Sequence, residues 1–430
     1  MSVRDDIFAD VLDAASTRAR HGHGSRRAWR AGTERREGLC VAHGTALGPD
    51  AWALELHPVR HLDRLADDIA DLYARAAEPN LFFSLPVLRA TFPRLARARP
   101  RRSGTVWLMA LYQAGGDGER ERRLQLFAPL ATPRLGWPAR AAAMIAASEY
   151  TPVGTPLVDR DALAEAAERT VALLADPALA LPPTLVMPET RMDGPVAAAF
   201  QNATRRLGVE TETLGLHGRA VLRAGQAHAL SRRRERDHER QLRQLRARGT
   251  VRFETARTQG DVLTAFETFV ALELASWKGR GGTALYNRKQ ITAFSRETVA
   301  SLARDGACAI HELTLDGATI ASLIVLGDPA SGDLCTWKTA YDAAHAPHSP
   351  GVLLMLHATR ELAALPGVTV DSLARADHPV MNRVWADRIT MGTLALATSS
   401  RGAGPFRSTV AAIERRERVR EWARRLLGRV

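Results

Sequence analysis

The chain has 430 residues, 46% hydrophobic and 25% charged, a composition that excludes a disordered or fibrous protein and a length that predicts two domains rather than one core. Its formal net charge is +12, from 59 Lys and Arg against 47 Asp and Glu, yet residues 232–248 hold eight Arg against three acids and 414–429 hold seven against three, so most of the surplus lies in two helical runs. The near-neutral remainder excludes a basic groove that tracks phosphates, and no sequence-specific nucleic-acid partner is expected. No stretch reaches the ~18 apolar residues of a membrane span, the start carries no secretory signal, and Cys40, Cys308 and Cys335 give neither a disulfide framework nor a zinc site. A cytoplasmic chain with structural, reduced cysteines is expected.

In chain order, residues 1–45 lack apolar periodicity around His21-Gly22-His23-Gly24 and predict a loosely ordered basic leader. A first domain follows over 46–225. Residues 51–59 read as a strand, and Leu62, Leu65, Ile69, Leu72 and Tyr73 recur at helical spacing up to Pro79-Asn80. Two β-rich runs, 105–113 and 123–130, are joined by Gly115-Gly116-Asp117-Gly118 as a hairpin. After a Thr/Gly/Pro segment at 149–159 come a helix at 161–175, a strand at 184–187, a helix at 194–207 and a strand at 209–214.

An Arg-rich connecting helix spans 226–250, and a second domain over 251–405 repeats the order of the first. Strands 307–315 and 319–327 meet at Asp316-Gly317, a dipeptide tolerant of positive φ and so suited to a tight hairpin turn. A strand at 334–341, a helix at 351–364, a strand at 368–373, a short helix at 380–387 and a strand at 390–397 complete it. The tail, 406–430, is a basic amphipathic helix with Ile413, Trp422 and Leu426 amid arginines. Two uses are open to it: peripheral contact with an anionic membrane surface through 410–427, or packing on its own body.

Only three basic residues are lysine, and two of them, Lys278 and Lys338, directly follow Trp277 and Trp337. This pairing directs the search for function to the second domain. Strand 334–341 is followed by a loop and then by Ser349-Pro350-Gly351, where Ser is a favoured N-cap and Pro a favoured first helical residue. Gly351, Val352 and Leu353 add no negative charge, so bare amides at the positive helix end would suit a pyrophosphate. The matching helix of the first domain starts among Asp159 and Asp161, carboxylates that would occupy or repel an anion. Phosphate-loop, His-Glu-x-x-His, Cys-x-x-Cys and Gly-x-Ser-x-Gly signatures are missing.

The segments 273–284 (ELASWKGRGGTA), 336–342 (TWKTAYD) and 349–354 (SPGVLL), with 80–86 (NLFFSLP), 150–157 (YTPVGTPL) and 231–249 upstream, resemble the BioF2-like (CelD/BcsL-type) acetyltransferases of the GNAT superfamily over roughly residues 50–400. The resemblance implies an α/β (α+β) fold of two tandem GNAT-like domains, each a mixed central sheet flanked by helices, related in architecture to Fem-type peptidoglycan aminoacyltransferases. It implies acetyl-CoA or another acyl-CoA as co-substrate, no metal, and a small-molecule amine of a cell-envelope or polysaccharide precursor as acceptor.

On that reading Lys338, Thr339, Ala340, Ser349, Gly351, Val352 and Leu353 bind the cofactor. Ser349-Pro350-Gly351 departs from the Gly-rich pattern with Gln or Arg usual in the superfamily. Candidate bases are Asp377, Asp371, Glu273 and His311, and Tyr341 could protonate a departing thiolate. Trp277, Lys278, Trp337 and Trp385 could wall an acceptor or acyl pocket. Two other readings stay open: a Fem-like transfer from aminoacyl-tRNA, in which the Arg-rich helix would touch RNA, and a non-catalytic partner of a polysaccharide-synthesis complex.

Overall fold

The computed structural model describes residues 39–43, 52–97, 106–114, 122–132, 142–145, 150–226, 230–275, 289–398 and 403–426. These residues form two compact units, one comprising Gly218–Ile389 and the other the described residues up to His217 together with those from Thr390 onward.

In the N-terminal unit, strands β1 (Cys40–His43) and β2 (Trp52–Pro58) lead through a 3-10 turn, Val59–Leu65, into α1 (Ala66–Ala74). The predicted helix therefore becomes α-helical only from Ala66, where Asp67 and Asp68 in the first turn favour a helix N-terminus. Helix α2 (Leu85–Arg97) precedes β3 (Val106–Ala114) and β4 (Arg122–Ala131), whose centres are buried on both faces, as in strands covered by helices. The short strands β5 (Ala143–Ile145) and β6 (Leu157–Val158), then α3 (Leu163–Leu173), β7 (Thr184–Arg191), α4 (Pro195–Leu207) and β8 (Thr211–Arg223) follow. Pro195 in the first turn and left-handed Gly208 after the last mark the ends of α4, as the sequence punctuation requires. Cys40–His43 lies inside the expected leader and is a strand because it pairs antiparallel with β2.

The C-terminal unit starts with α5 (Arg232–Arg246), β9 (Val251–Ala256), α6 (Gln259–Ala275) and α7 (Lys289–Arg304). The hairpin β10 (Cys308–Leu315) and β11 (Ala318–Leu326) turns at Asp316 and Gly317, both at positive φ (50° and 83°). Then come β12 (Asp333–Tyr341), α8 (Pro350–Ala363), β13 (Thr369–Asp371), α9 (Met381–Val384) and β14 (Asp387–Ala397). The helix α10 (Ala403–Leu426) closes the chain.

Both units share one sheet plan: an antiparallel run, one parallel pair, and a last antiparallel strand. In the C-terminal unit β9, β10, β11 and β12 pair antiparallel in turn, β12 pairs parallel with β13, and β13 pairs antiparallel with Val221–Arg223 of β8. In the N-terminal unit β1 to β5 are the antiparallel run, β5 pairs parallel with β7, and β7 pairs antiparallel with β14. Each parallel pair is thus flanked by a strand from the other half of the sequence. This exchange moves the boundaries from the expected 225 and 405 to 217 and 389.

Tail helix α10 packs on the N-terminal unit: Ala412 and Ile413 are buried against Ala142, Val186 and Leu214, while Val419 and Trp422 stay exposed. No helix among the described residues is long and apolar enough to cross a membrane. The three cysteines are free thiols, Cys308 and Cys335 buried, and burial pushes the Cys308 thiol up to about 12.

Candidate active site

An opening in the C-terminal sheet lies at the carboxyl end of β12. β11 and β12 pair from Ala321/Tyr341 to Leu326/Cys335, with the register stepping between Ile324/Lys338 and Val325/Thr336, so Trp337 is the extra residue of a β-bulge. On the other edge, the parallel pairing with β13 runs only from Asp333/Thr369 to Cys335/Asp371. Beyond it Thr336 Oγ1 donates to the Ser372 carbonyl (3.0 Å). Residues 336–341 therefore have no β13 ladder partner, so the strand is opened on that edge.

Helix α8 begins against this opening. A Cβ on Gly351 would stand 3.4 Å from Tyr341 Cδ1 and 4.0 Å from Thr339 Cγ2, ordinary contact distances that set the helix start against the strand. The helix start differs from the expected cap. A 3-10 turn, Ala343–His348, closes with Ser349 N–H donating to the Ala346 carbonyl, and the chain then reverses hand at Ser349 (φ 50°, ψ 49°). Ser349 makes no side-chain cap; its Oγ accepts from Gln241 Nε2 (3.2 Å) and its carbonyl accepts from the Val352 and Leu353 amides (2.9 and 3.1 Å). The row of bare amides is thereby reduced to that of Gly351. Two groups that the sequence reading passed over compensate: His345 and His348, in the turn before the helix, have buried Nδ1 atoms with no hydrogen-bond partner. Their spacing of three immediately before the capping residue was the available signal.

The remaining site residues divide. Lys338 is half-buried with Nζ 5.4 Å from the Trp337 ring centre, and Trp337 meets Phe294 edge to face at 6.2 Å. Tyr341 is partly buried beside Gly351, and Thr339 and Val352 are partly buried as well. Ala340 and Leu353 are buried, Leu353 within the hydrophobic core, so their side chains offer no surface to a cofactor and only their main chain could. Trp385 is no pocket wall: it is 1% exposed and its Nε1 donates to Thr359 Oγ1 (3.0 Å) in the core. Trp277 and Lys278 lie outside the described residues.

Of the candidate bases, Asp371 is held by Arg219 Nη1 (3.2 Å) and by the Leu373 amide (2.8 Å), which makes it a brace for the end of β13. Glu273 is buried on α6 at 3% exposure. Asp377 is half-exposed and engages Arg375 through Oδ2 (2.9 Å), leaving Oδ1 without a partner among the described residues. His311 is 2% exposed and sits between Thr255 Oγ1 (3.1 Å) and Glu361 Oε2 (3.3 Å), a bracing position rather than a catalytic one. Glu361 also meets His357 Nε2 (3.1 Å), whose ring stacks on Phe253 at 4.2 Å. The hydrogen bond from His311, with the charges of both histidines, holds the Glu361 carboxyl down at about 2 against the opposing pull of burial. This network clamps α8 to β9 and β10.

Helix α5 packs on the 3-10 turn, with Gln241 bonded to Ser349 and His238 Nδ1 bonded to Gln241 Oε1 (2.9 Å). Its exposed arginines, among them Arg233, Arg236 and Arg240, therefore lie on the helix that borders the entrance of α8. The corresponding helix of the N-terminal unit, α3, opens differently. Asp159 is 1% exposed, pairs with Arg75 and accepts the Asp161 amide at Oδ1 (3.1 Å), beside a cleft of about 440 Å³ also lined by Arg123, Asp161 and Glu165. A carboxylate of the chain itself thus lies in the turn just before α3, whose first residue is Leu163 and whose N-cap has no side-chain bond.

Residues 231–379 match the family model described as an acetyltransferase (GNAT) domain, which begins with α5 and covers the opened strand and the start of α8. The chain is a transferase with a GNAT acetyltransferase domain, on a mixed α/β fold. Among solved structures it is similar to FemX (12% identity, 77% of this chain and 95% of that one, TM-score 0.48) and to the tandem GNAT protein from the clavulanic acid biosynthesis pathway (18% identity, 82% and 100%, TM-score 0.35). It is also similar to the C-terminal domain of a protein described as a lysylphosphatidylglycerol synthetase from Agrobacterium fabrum (10% identity, 82% and 94%, TM-score 0.46). None of these similarities carries information on chemistry. No curated protein matches the sequence.

Proposed function

We propose that the protein is a BioF2-like (CelD/BcsL-type) N-acyltransferase that takes its acyl group from acetyl-CoA or a longer acyl-CoA and works in the cytoplasm on an amine of a cell-envelope or polysaccharide precursor. One observation carries the reading: β12 parts from β13 at Cys335 directly beside a helix start with no acidic residue in its first turn. The residues present fit such a donor. Gly351 N–H and the unpartnered Nδ1 atoms of His345 and His348 would hold its diphosphate, and the arginines of α5 add positive charge at the same entrance.

A bound acyl-CoA supplies an activated thioester. The main chain of 336–341, released from β13, would orient the acyl carbonyl by hydrogen bonding. Tyr341, against Gly351, would hold the proton for the leaving sulfur at its hydroxyl. Asp377 would accept the ammonium proton of the acceptor at Oδ1, with Arg375 fixing its other oxygen. Isothermal titration with acetyl-CoA, butyryl-CoA and palmitoyl-CoA tests the donor assignment; saturable binding of at least one supports it, and absence of binding across the panel rejects it.

The position of α5 supports a second reading, a Fem-like transfer from aminoacyl-tRNA, because a row of exposed arginines beside the donor entrance suits RNA as well as a nucleotide. Copurification of tRNA that ribonuclease removes, with no acyl-CoA binding, would favour it.

A further inference from the structure

The N-terminal unit contains a second cluster of chemically active side chains, none of which the acyl-donor reading uses. On β2, Glu55 and His57 point to one face by the two-residue period of a strand and bond to each other, His57 Nε2 to Glu55 Oε2 at 2.7 Å. Arg122 of β4 donates to the other oxygen of Glu55 (2.6 Å) and lies over the Tyr112 ring at 4.0 Å. The Tyr112 hydroxyl donates to Asp68 Oδ2 (2.8 Å). His61 is buried, with its ring 6.0 Å from that of His57. Burial works to raise the Glu55 carboxyl, and the bond from His57 with the charge of Arg122 overcomes it, so Glu55 stays below the ordinary carboxylate value and ionised.

These groups surround a cavity of about 600 Å³ lined by His57, His61, Arg64, Asp68 and Arg122, with Leu39 and Leu65 as its apolar part. The volume lies in the ordinary range of small-molecule sites. An ionised Glu55 takes the proton on His57 Nε2, and in the neutral imidazole His57 Nδ1 is then an acceptor. Asp68 Oδ1 is a second acceptor with no partner among the described residues. Arg64 and Arg122 present guanidinium groups to the same space.

Both signs of charge therefore line one cavity. A simple anion would be set against Asp68, and a simple cation against two guanidiniums; a ligand with both charges leaves neither unpaired. We infer that this cavity is a binding site for a small zwitterion bearing a carboxylate and an ammonium group, an α-amino acid or a short peptide. The carboxylate is taken by Arg64 and Arg122, and the ammonium by Asp68 and His57. This site is independent of the acyl-donor reading and would stand if that reading failed.

The test is isothermal titration of the full chain with glycine, L-alanine, L-glutamate, L-lysine and diglycine, with acetate and methylamine as single-charge controls. At least one zwitterion is expected to bind saturably, with Kd between about 1 μM and 1 mM, and at least about tenfold more tightly than either control. Arg64→Gln alters an exposed residue, and Asp68→Asn keeps an acceptor for the Tyr112 hydroxyl. Each is expected to weaken that binding about tenfold or more while leaving the melting temperature and acetyl-CoA titration as in the parent. The inference is overturned if no zwitterion outperforms acetate and methylamine, or if binding survives the Arg64→Gln, Asp68→Asn double variant.

Discussion

The two units follow the same sheet plan and differ most at one point, the start of the helix after the parallel strand. In the N-terminal unit Asp159 is buried there, bonded to the Asp161 amide and paired with Arg75. In the C-terminal unit the same place holds Gly351, a left-handed Ser349 and the rings of His345 and His348, each with an unpartnered Nδ1. One start is preceded by its own carboxylate, and on the proposed reading the other takes a foreign anion. A shared topology thus says little about which unit does chemistry, and a few side chains at a helix entrance say most of it.

The largest way to break the comparison is Asp159→Ala, which leaves Arg75, 11% exposed at its side chain, without its buried carboxylate and with the exposed Asp71 as its remaining one among the described residues. A loss of about 3 kcal/mol of stability is expected in denaturant unfolding, with no acyl-CoA site gained in the N-terminal unit. Gly351→Asp gives the C-terminal helix the plug of its counterpart. Acetyl-CoA affinity is expected to fall about 100-fold by titration, roughly 2.7 kcal/mol, while the fold keeps its stability, since an acid in the first turn suits the helix dipole. His348→Ala is expected to lower the same affinity about tenfold, and Tyr341→Phe to lower kcat about tenfold with binding unaltered, which would separate the phosphate entrance from the proton donor.

The smallest effect concerns the clamp behind α8. Glu361 has a depressed folded-state pKa, so its contribution is present above the unfolded value near 4.3 and is lost as pH falls toward about 2. Urea melts of the parent and of Glu361→Gln should therefore differ at pH 6, approach each other below about pH 4 and converge near about pH 2.

Local features of the molecule were legible in the sequence. Asp316-Gly317 forms its hairpin because both residues accept positive φ, and the strand and helix flanking Ser349 stand where periodicity put them. The acid at the first unit's helix start was equally readable, since Asp159 lies within two residues of the amide it fills. What escaped depends on distant partners. The exchange of β8 and β14 between parallel pairs is set by strands far apart in sequence, and Cys40–His43 becomes a strand only because β2 offers it an edge. Trp385 and Leu353 carried no local mark that they face the core. Ser349 looked like a cap, and the turn before it, which makes it left-handed and consumes two amides, left no trace in the residue type.

Amide hydrogen exchange of the full chain with and without acetyl-CoA compares both helix entrances in one experiment. Slower exchange is expected across 336–353 with no change across 157–165. Protection of 157–165, or none at 336–353 under saturating acetyl-CoA, would contradict the assignment of the donor site to the C-terminal unit.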